Sequence, residues 1–261
     1  MSTYRVKAYN TAHNAENKIH DDAVARRMGF SGALVPGVQV YAYMMHLPVE
    51  RWGRAFLERG AAECRFTTPV YDGENADITG TEANDGMEIA VVSREVSCAI
   101  GSAFLSSPFK PKEYPVGSPP AHEDRPPASP ETLRVGAILC SRPVEVTETF
   151  AADYLRDTRE ADNIYEREKL VHPGTVLRMA NFALMHNVKL GPWIHVGSEV
   201  QNFGVAHVGE TLSARARVAG SYERKGHLFV EMDVLVLSDG ARPVAQVRHT
   251  AIYRPRQMAA A

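Results

Sequence analysis

Two sequence landmarks occur in the same order in both halves of this 261-residue chain. The first is a Pro-Gly step, with Gly37 in one half and Gly174 in the other, and helix-like apolar residues follow each glycine. The second is a Gly-Glu turn at Gly73 and Gly209, which comes 36 residues after the first glycine in one half and 35 in the other. Matched spacing of two landmarks indicates an internal duplication, so the chain must build one structural unit twice.

A proline-rich segment separates the two halves. Eight of the 16 prolines fall between Pro108 and Pro130. Because proline fixes φ and has no N–H to donate, such a segment forms neither a helix nor a central strand. We therefore predict an N-terminal repeat over residues 1–107, a surface linker over 108–130 and a C-terminal repeat over 131–261.

Strand-like runs follow the Gly-Glu turn in each half. They cover residues 88–97 in the first half and residues 228–237 and 247–253 in the second, and glycine-containing turns lie beside them. Runs of this kind are typical of antiparallel strands and hairpins. Each half is therefore predicted to contain one long helix and several antiparallel strands, which is an α+β layer.

Composition excludes several classes of protein. The formal net charge is −2, so we expect no nucleic-acid partner. The three cysteines are far apart, which predicts neither a disulfide framework nor a zinc site and favours a reducing, cytoplasmic location. We expect no secretory signal and no membrane span, because no long apolar run occurs. The phosphate-binding glycine loops and paired metal-ligand motifs are missing, so we predict no cofactor and no metal.

The densest group of candidate catalytic residues lies at residues 15–22. It contains Asn17 and His20, and a Gly-Phe step and the first Pro-Gly step follow it. Histidine is the side chain whose unperturbed pKa lies nearest to neutrality, so His20 is the natural acid–base candidate. Asn17, three residues earlier, could bind and orient a water molecule beside it.

This order of residues resembles the MaoC-like family of R-specific enoyl-CoA hydratases and dehydratases. The family motif is Asp-x-Asn-Pro-(Leu/Ile)-His, followed by a short helix, a Gly-Phe-like step and a glycine that begins a long central helix. Segment 66–73 also resembles the family's strand after that helix. The residues that match in order and approximate spacing are Asn17, Ile19, His20, Gly29, Phe30 and Gly37.

The resemblance implies a tandem (double) hot-dog fold, in which two antiparallel sheets each wrap a central helix. It also implies a hydro-lyase, a hydratase or dehydratase that acts on an acyl thioester of CoA or a carrier protein and needs no cofactor. His20 and Asn17 are then catalytic. Two such chains could form a homodimer.

The start of the first central helix is the predicted substrate-binding segment, over Pro36, Gly37, Val38 and Tyr41. A helix N-terminus presents free N–H groups and partial positive charge, which can polarise a thioester carbonyl. Glycine at this point would let the substrate approach the backbone closely.

The chain departs from the family at one position, because Ala15 stands where the motif has Asp. Alanine cannot act as a general base. Glu16 could replace the acid if the loop were shifted, although a solvated loop charge is its ordinary interpretation. Other functions therefore stay open: a repurposed lyase, isomerase or thioesterase, or a binder of acyl thioesters that has no activity.

The second half contains a weaker copy of the motif, with Glu160, Asp162 and Tyr165 at the Asp, Asn and His positions. The family implies that one repeat keeps the chemistry and the other loses it. Glu160 and Tyr165 are therefore secondary catalytic candidates with a structural role favoured. Seven other histidines are expected to be ordinary core or surface residues: His13, His46, His186, His195, His207, His227 and His249.

Overall fold

One antiparallel sheet of 11 strands dominates the structure, a computed structural model that describes residues 1–13, 15–107 and 109–256. Its strand order is β1-β3-β4-β5-β2-β8-β11-β10-β9-β6, and β7 pairs with β9. The strands are β1 (Ser2–Lys7), β2 (Gly60–Phe66), β3 (Asn75–Ala83), β4 (Gly86–Ser93), β5 (Val96–Leu105), β6 (Ile138–Cys140), β7 (Val144–Glu145), β8 (Ile194–Asn202), β9 (Thr211–Arg224), β10 (His227–Ser238) and β11 (Arg242–Arg254).

Two long helices, one from each half, lie against this sheet and against each other. The first begins at Gly37, where the sequence predicts it, and its residues 38–49 are all buried, as expected of a helix that is apolar on every side. The helices are α1 (Asp22–Arg27), α2 (Gly37–Trp52), α3 (Arg54–Arg59), α4 (Glu148–Thr158), α5 (Ile164–Glu168) and α6 (Pro173–Met185), and a 3-10 turn spans Lys18–His20.

The sheet is continuous because β2 of the first half pairs with β8 of the second, with Ala61 opposite Gln201 and Arg65 opposite Gly197. Joining two sheets edge to edge removes two exposed strand edges. The helices meet closely at Gly174, where an added Cβ would lie 2.8 Å from the Cβ of Ala42. The architecture is the predicted tandem hot-dog arrangement, with two central helices side by side on one sheet.

The proline-rich segment is tied to the rest of the molecule more firmly than its composition suggests. Tyr114 is buried with Leu235 and Leu237 in a small separate cluster. Arg125 is also buried, and it donates hydrogen bonds to the Met185 carbonyl and to the Glu16 carboxylate. The boundaries of the repeats at residues 107 and 131 stay a prediction.

Candidate functional site

A cavity of about 260 Å³ lies at the junction of the two halves of the chain. The first half contributes the 3-10 turn, the start of α2 and the segment after β2, and the second half contributes α6, β8 and β11. The lining residues used below are Asn17, His20, Pro36, Gly37, Val40, Thr67, Cys98, Asn181, Trp193 and His195.

His20 lies in the wall of this cavity, as the sequence predicts, and its tautomer is fixed by the backbone. Nδ1 is 2.8 Å from the carbonyl oxygen of Leu34, and a carbonyl only accepts, so Nδ1 carries the proton. Burial lowers the pKa of His20, although the bond to Leu34 partly opposes that shift. The ring is therefore neutral near pH 7, and Nε2 is an unprotonated base.

Asn17 lies beside His20, but both ends of its amide form hydrogen bonds with the backbone of the second half. Its Oδ1 accepts from the N–H of Trp193 at 3.2 Å, and its Nδ2 donates to the Trp193 carbonyl at 2.9 Å. Nδ2 is also 3.4 Å from Nε2 of His20. Asn17 thus links the segment before β8 to the 3-10 turn and contacts the His20 ring.

The start of α2 contributes Pro36, Gly37 and Val40 to the cavity. The predicted binding residues Val38 and Tyr41 are buried elsewhere and do not line it. Gly37 is required for a reason that the sequence does not suggest: a Cβ there would lie 2.8 Å from Nδ1 of His195, whose ring packs against the helix start.

No carboxylate lines the cavity in the described part of the chain. Ala15 is absent from the lining, and its carbonyl accepts from the ammonium of Lys18 at 3.1 Å. Glu16 faces the proline-rich segment, where it pairs with His122 at 2.7 Å and with Arg125 at 3.1 Å. The structure therefore does not bring Glu16 into the position of the family's Asp.

The second copy of the motif forms a closed, buried cluster around Glu160. One carboxylate oxygen accepts from Nδ1 of His46 at 2.7 Å and from the backbone N–H of Asp162 at 2.8 Å. The other lies 3.3 Å from Nε2 of His172. Nδ1 of His172 accepts from the N–H of Gly174, so the proton of His172 must lie on Nε2.

The electrostatics of this cluster favour an ion pair between Glu160 and His46. Burial alone would raise the pKa of Glu160, but the hydrogen bonds from His172 and His46 outweigh it and hold the pKa far below the usual range. Burial would likewise lower the pKa of His46, yet the bond and charge of Glu160 raise it overall. The side chain of Glu160 is 3% exposed, and it does not line the cavity that contains His20.

Tyr165 lies at the position that corresponds to His20, and it is a core residue. It is 1% exposed, and its hydroxyl has no hydrogen-bond partner. Burial raises its pKa well above the usual value, so the phenol stays protonated. The two copies of the motif are therefore not equivalent, because only the first opens into a cavity.

Among the residues that the second half adds to the cavity are an amide and an imidazole that the sequence does not single out. They are Asn181 from α6 and His195 from β8, and both side chains are largely buried. His195 was expected to be an ordinary core or surface residue. No local motif surrounds either residue, so nothing in the sequence identifies them.

The described residues contain no group of three or more His, Cys, Asp or Glu side chains placed to hold a metal ion. Among the described helices, none has the length and apolar character needed to cross a membrane.

No protein-family model matches the chain, and no curated protein matches its sequence. Solved structures do resemble it. A conserved hypothetical protein of Mycobacterium tuberculosis with a double hot-dog fold is 16% identical, with a TM-score of 0.63 over 96% of this chain and 95% of that one. A protein provisionally named as a MaoC domain dehydratase, from Chloroflexus aurantiacus, is 11% identical, with a TM-score of 0.63 over 97% and 95% of the two chains.

A third similar structure carries a different name. It is a protein of Thermobifida fusca provisionally named thioesterase II, and it is 14% identical with a TM-score of 0.54 over 98% of this chain and 93% of that one. Identity this low supports a common fold, while one fold can support several reactions. The chain therefore has the double hot-dog fold, which is also the fold of MaoC-like dehydratase structures.

Proposed function

We propose that this chain is a hydro-lyase that adds water to, or removes water from, an acyl thioester of CoA or a carrier protein. His20 carries the proposal. Its Nδ1 proton is held by Leu34, which leaves Nε2 as a base at a cavity that also contains the first turn of α2. A base and a helix N–H without a partner, that of Gly37, at one cavity are what proton removal next to a carbonyl requires.

The dehydration direction can be written with these groups alone. The thioester carbonyl accepts from the N–H of Gly37 at the start of α2, which makes the proton on C2 more acidic. Nε2 of His20 gives up its 3.4 Å contact with the Asn17 amide and takes that proton, and the helix N-terminus stabilises the enolate that forms. The imidazolium then gives its proton to the hydroxyl on C3, which leaves as water while the C2–C3 double bond forms. Hydration is the reverse sequence.

One histidine must perform both proton transfers in this scheme, because no carboxylate lines the cavity in the described residues. The family that the chain resembles uses an Asp and a His together. Asn17 keeps a supporting role, since its amide holds the His20 ring and the Trp193 backbone in place.

The missing carboxylate favours a second candidate, which is hydrolysis of the thioester. Nε2 of His20 would then remove a proton from a water molecule that attacks the carbonyl carbon, with the N–H of Gly37 on the carbonyl oxygen. The thioesterase name of one structural neighbour is compatible with this reaction.

A panel of 2-enoyl- and 3-hydroxyacyl-CoA thioesters separates these candidates when double-bond loss or gain and free thiol release are followed in the same samples. Interconversion without thiol release supports a hydro-lyase, and thiol release supports a thioesterase. Binding of saturated acyl-CoA with neither reaction indicates a protein that binds acyl thioesters without turnover.

His20→Gln keeps a polar side chain but removes the base, so it should lower kcat by roughly 10²-fold or more. The matched control is His227→Gln, because His227 begins a hairpin strand and does not line the cavity. The control should keep the activity of the wild type. Undiminished turnover by folded His20→Gln would refute the assignment of the base.

A further inference from the structure

One side of the cavity is polar, and the reaction proposed above does not use it. Several polar side chains in the lining are already satisfied within the protein. The amide of Asn17, the hydroxyl of Thr67 and the thiol of Cys98 each have a backbone carbonyl as partner. His20 supplies the base. None of these polar groups needs a further hydrogen-bond partner from a ligand substituent.

Two lining residues are different. Oδ1 of Asn181 and Nδ1 of His195 are buried and have no hydrogen-bond partner. Asn181 is 8% exposed and His195 is 6% exposed. Because a buried polar atom without a partner costs free energy, such atoms are rare, and each needs an explanation. Both residues line the same cavity, but the two atoms themselves have almost no exposed surface, so a ligand that turns the Asn181 amide and the His195 ring towards the cavity would supply their partners.

A buried relay behind His195 determines what its free nitrogen can do. Oγ of Ser198 lies 2.9 Å from Nε2 of His195 and 2.9 Å from Nδ1 of His249. Ser198 has one proton, so it can donate to only one of the two rings. If it donates to His195, Nδ1 of His195 carries the ring proton and is a donor. If it donates to His249, Nδ1 of His195 is an acceptor.

The charge of the lining restricts the ligand further. In the described chain, no Lys, Arg, Asp or Glu side chain lines the cavity. Burial and the neighbouring His249 hold the pKa of His195 well below its usual value, and burial lowers that of His249 to about 3. Both rings are therefore neutral, and a carboxylate or ammonium group would be buried here without a counter-charge.

We propose that the cavity selects acyl groups with a neutral hydroxyl or amide substituent, which bonds to Oδ1 of Asn181 and Nδ1 of His195. The substituent is additional to any hydroxyl on C3. An O–H or amide N–H is the donor that Asn181 needs, and the oxygen of the same group accepts from His195 when Ser198 donates to Nε2 and the ring proton is on Nδ1. The inference rests on the proposed function, since it requires the acyl group to occupy this cavity.

The test compares saturated, unreactive acyl-CoA ligands of equal chain length, one series with a hydroxyl or amide at C4, C5 or C6 and the other unsubstituted. Titration calorimetry gives their dissociation constants. The wild type should bind the best substituted ligand at least roughly 10-fold more tightly than its unsubstituted match, because the latter leaves both buried atoms unpaired.

Asn181→Leu has nearly the same shape but no polar group. It should abolish most of that preference by weakening the substituted ligand while the unsubstituted ligand binds equally well or better. Thr67→Val is the matched control, since it also removes a lining hydroxyl, but one with a partner in the protein. It should leave the ratio of the two dissociation constants unchanged.

Three outcomes would overturn the inference. The wild type could bind both series equally, or Asn181→Leu could weaken both series by the same factor, which indicates a purely structural role. Binding without discrimination would contradict this inference alone. Failure of every thioester to bind would contradict the proposed function as well.

Discussion

Glu160→Gln is the sharpest test of whether the second copy of the motif is structural. The carboxylate accepts three hydrogen bonds, from His46, His172 and the N–H of Asp162. Gln keeps one of the two oxygens as an acceptor and has an NH₂ group, which only donates, in place of the other. If its NH₂ group faces Asp162, it meets a backbone N–H, and if it faces His172, it meets a proton that Gly174 fixes on Nε2. Either orientation sets two donors against each other.

The expected cost follows from these contacts. One charge-assisted hydrogen bond is lost and one buried donor is left without a partner, which together amount to about 3 kcal/mol of unfolding free energy. For a chain of this size, that corresponds to a decrease in Tm of about 6–12 °C. Turnover measured well below the melting temperature should stay at the wild-type level, because Glu160 does not line the cavity.

The difference in Tm between the wild type and Glu160→Gln should depend on pH in a direction that the two pKa shifts determine. The pKa of Glu160 is lowered in the folded state, so its stabilisation is present above its unfolded pKa of about 4.3 and is lost as the pH falls. The pKa of His46 is raised, so its contribution is present below its unfolded pKa of about 6.5 and is lost as the pH rises through the folded value. The difference in Tm between wild type and Glu160→Gln should be largest between roughly pH 5 and pH 6.5.

Thermal melts followed by circular dichroism over this pH range provide the measurement. Glu148→Gln is the control, because Glu148 has a comparable ion pair with Lys169 at 2.9 Å but both side chains are exposed. It should melt within about 2 °C of the wild type. A Glu160→Gln protein with wild-type Tm would refute the ion-pair account, and one that is folded but inactive would move the chemistry to the second copy.

Three further predictions concern the first copy. Gly37→Ala places a Cβ 2.8 Å from Nδ1 of His195, so it should displace the ring and weaken acyl-CoA binding by roughly 10-fold. Gly204→Ala is the control, because there is room for the methyl group at that position, and it should bind acyl-CoA as the wild type does. The pH profile of kcat/KM should fall on the acidic side with a midpoint below about 6.5, because burial lowers the pKa of His20 and the base must be neutral; a midpoint above that value would contradict the assignment. Ala15→Asp should leave turnover close to wild type, because Ala15 does not line the cavity, and a 10-fold or greater gain in hydration would show that residue 15 reaches the substrate.

The duplication, the two central helices and the turn that contains Asn17 and His20 could all be predicted from the sequence because each depends on local order. Each Pro-Gly step stands before an apolar run, and the two central helices begin there, at Gly37 and at Pro173. Asn17 and His20 are three residues apart in one turn, so their proximity needs no tertiary information. Fold class follows from the same patterns, since a helix and a hairpin sheet with apolar faces must pack together.

Only the tertiary structure decided which residues complete the cavity. Asn181 and His195 come from the other half of the chain, and they reach His20 because β2 pairs with β8. The register of that pairing is a property of the whole sheet, and a shift of one residue would turn every side chain of β8 to the opposite face. The same holds for Glu16, which Arg125 draws towards the proline-rich segment, and for Glu160, which His46 of the first half helps to enclose. Contacts between groups more than 100 positions apart in the sequence depend on how the two halves join, and no local pattern encodes that join.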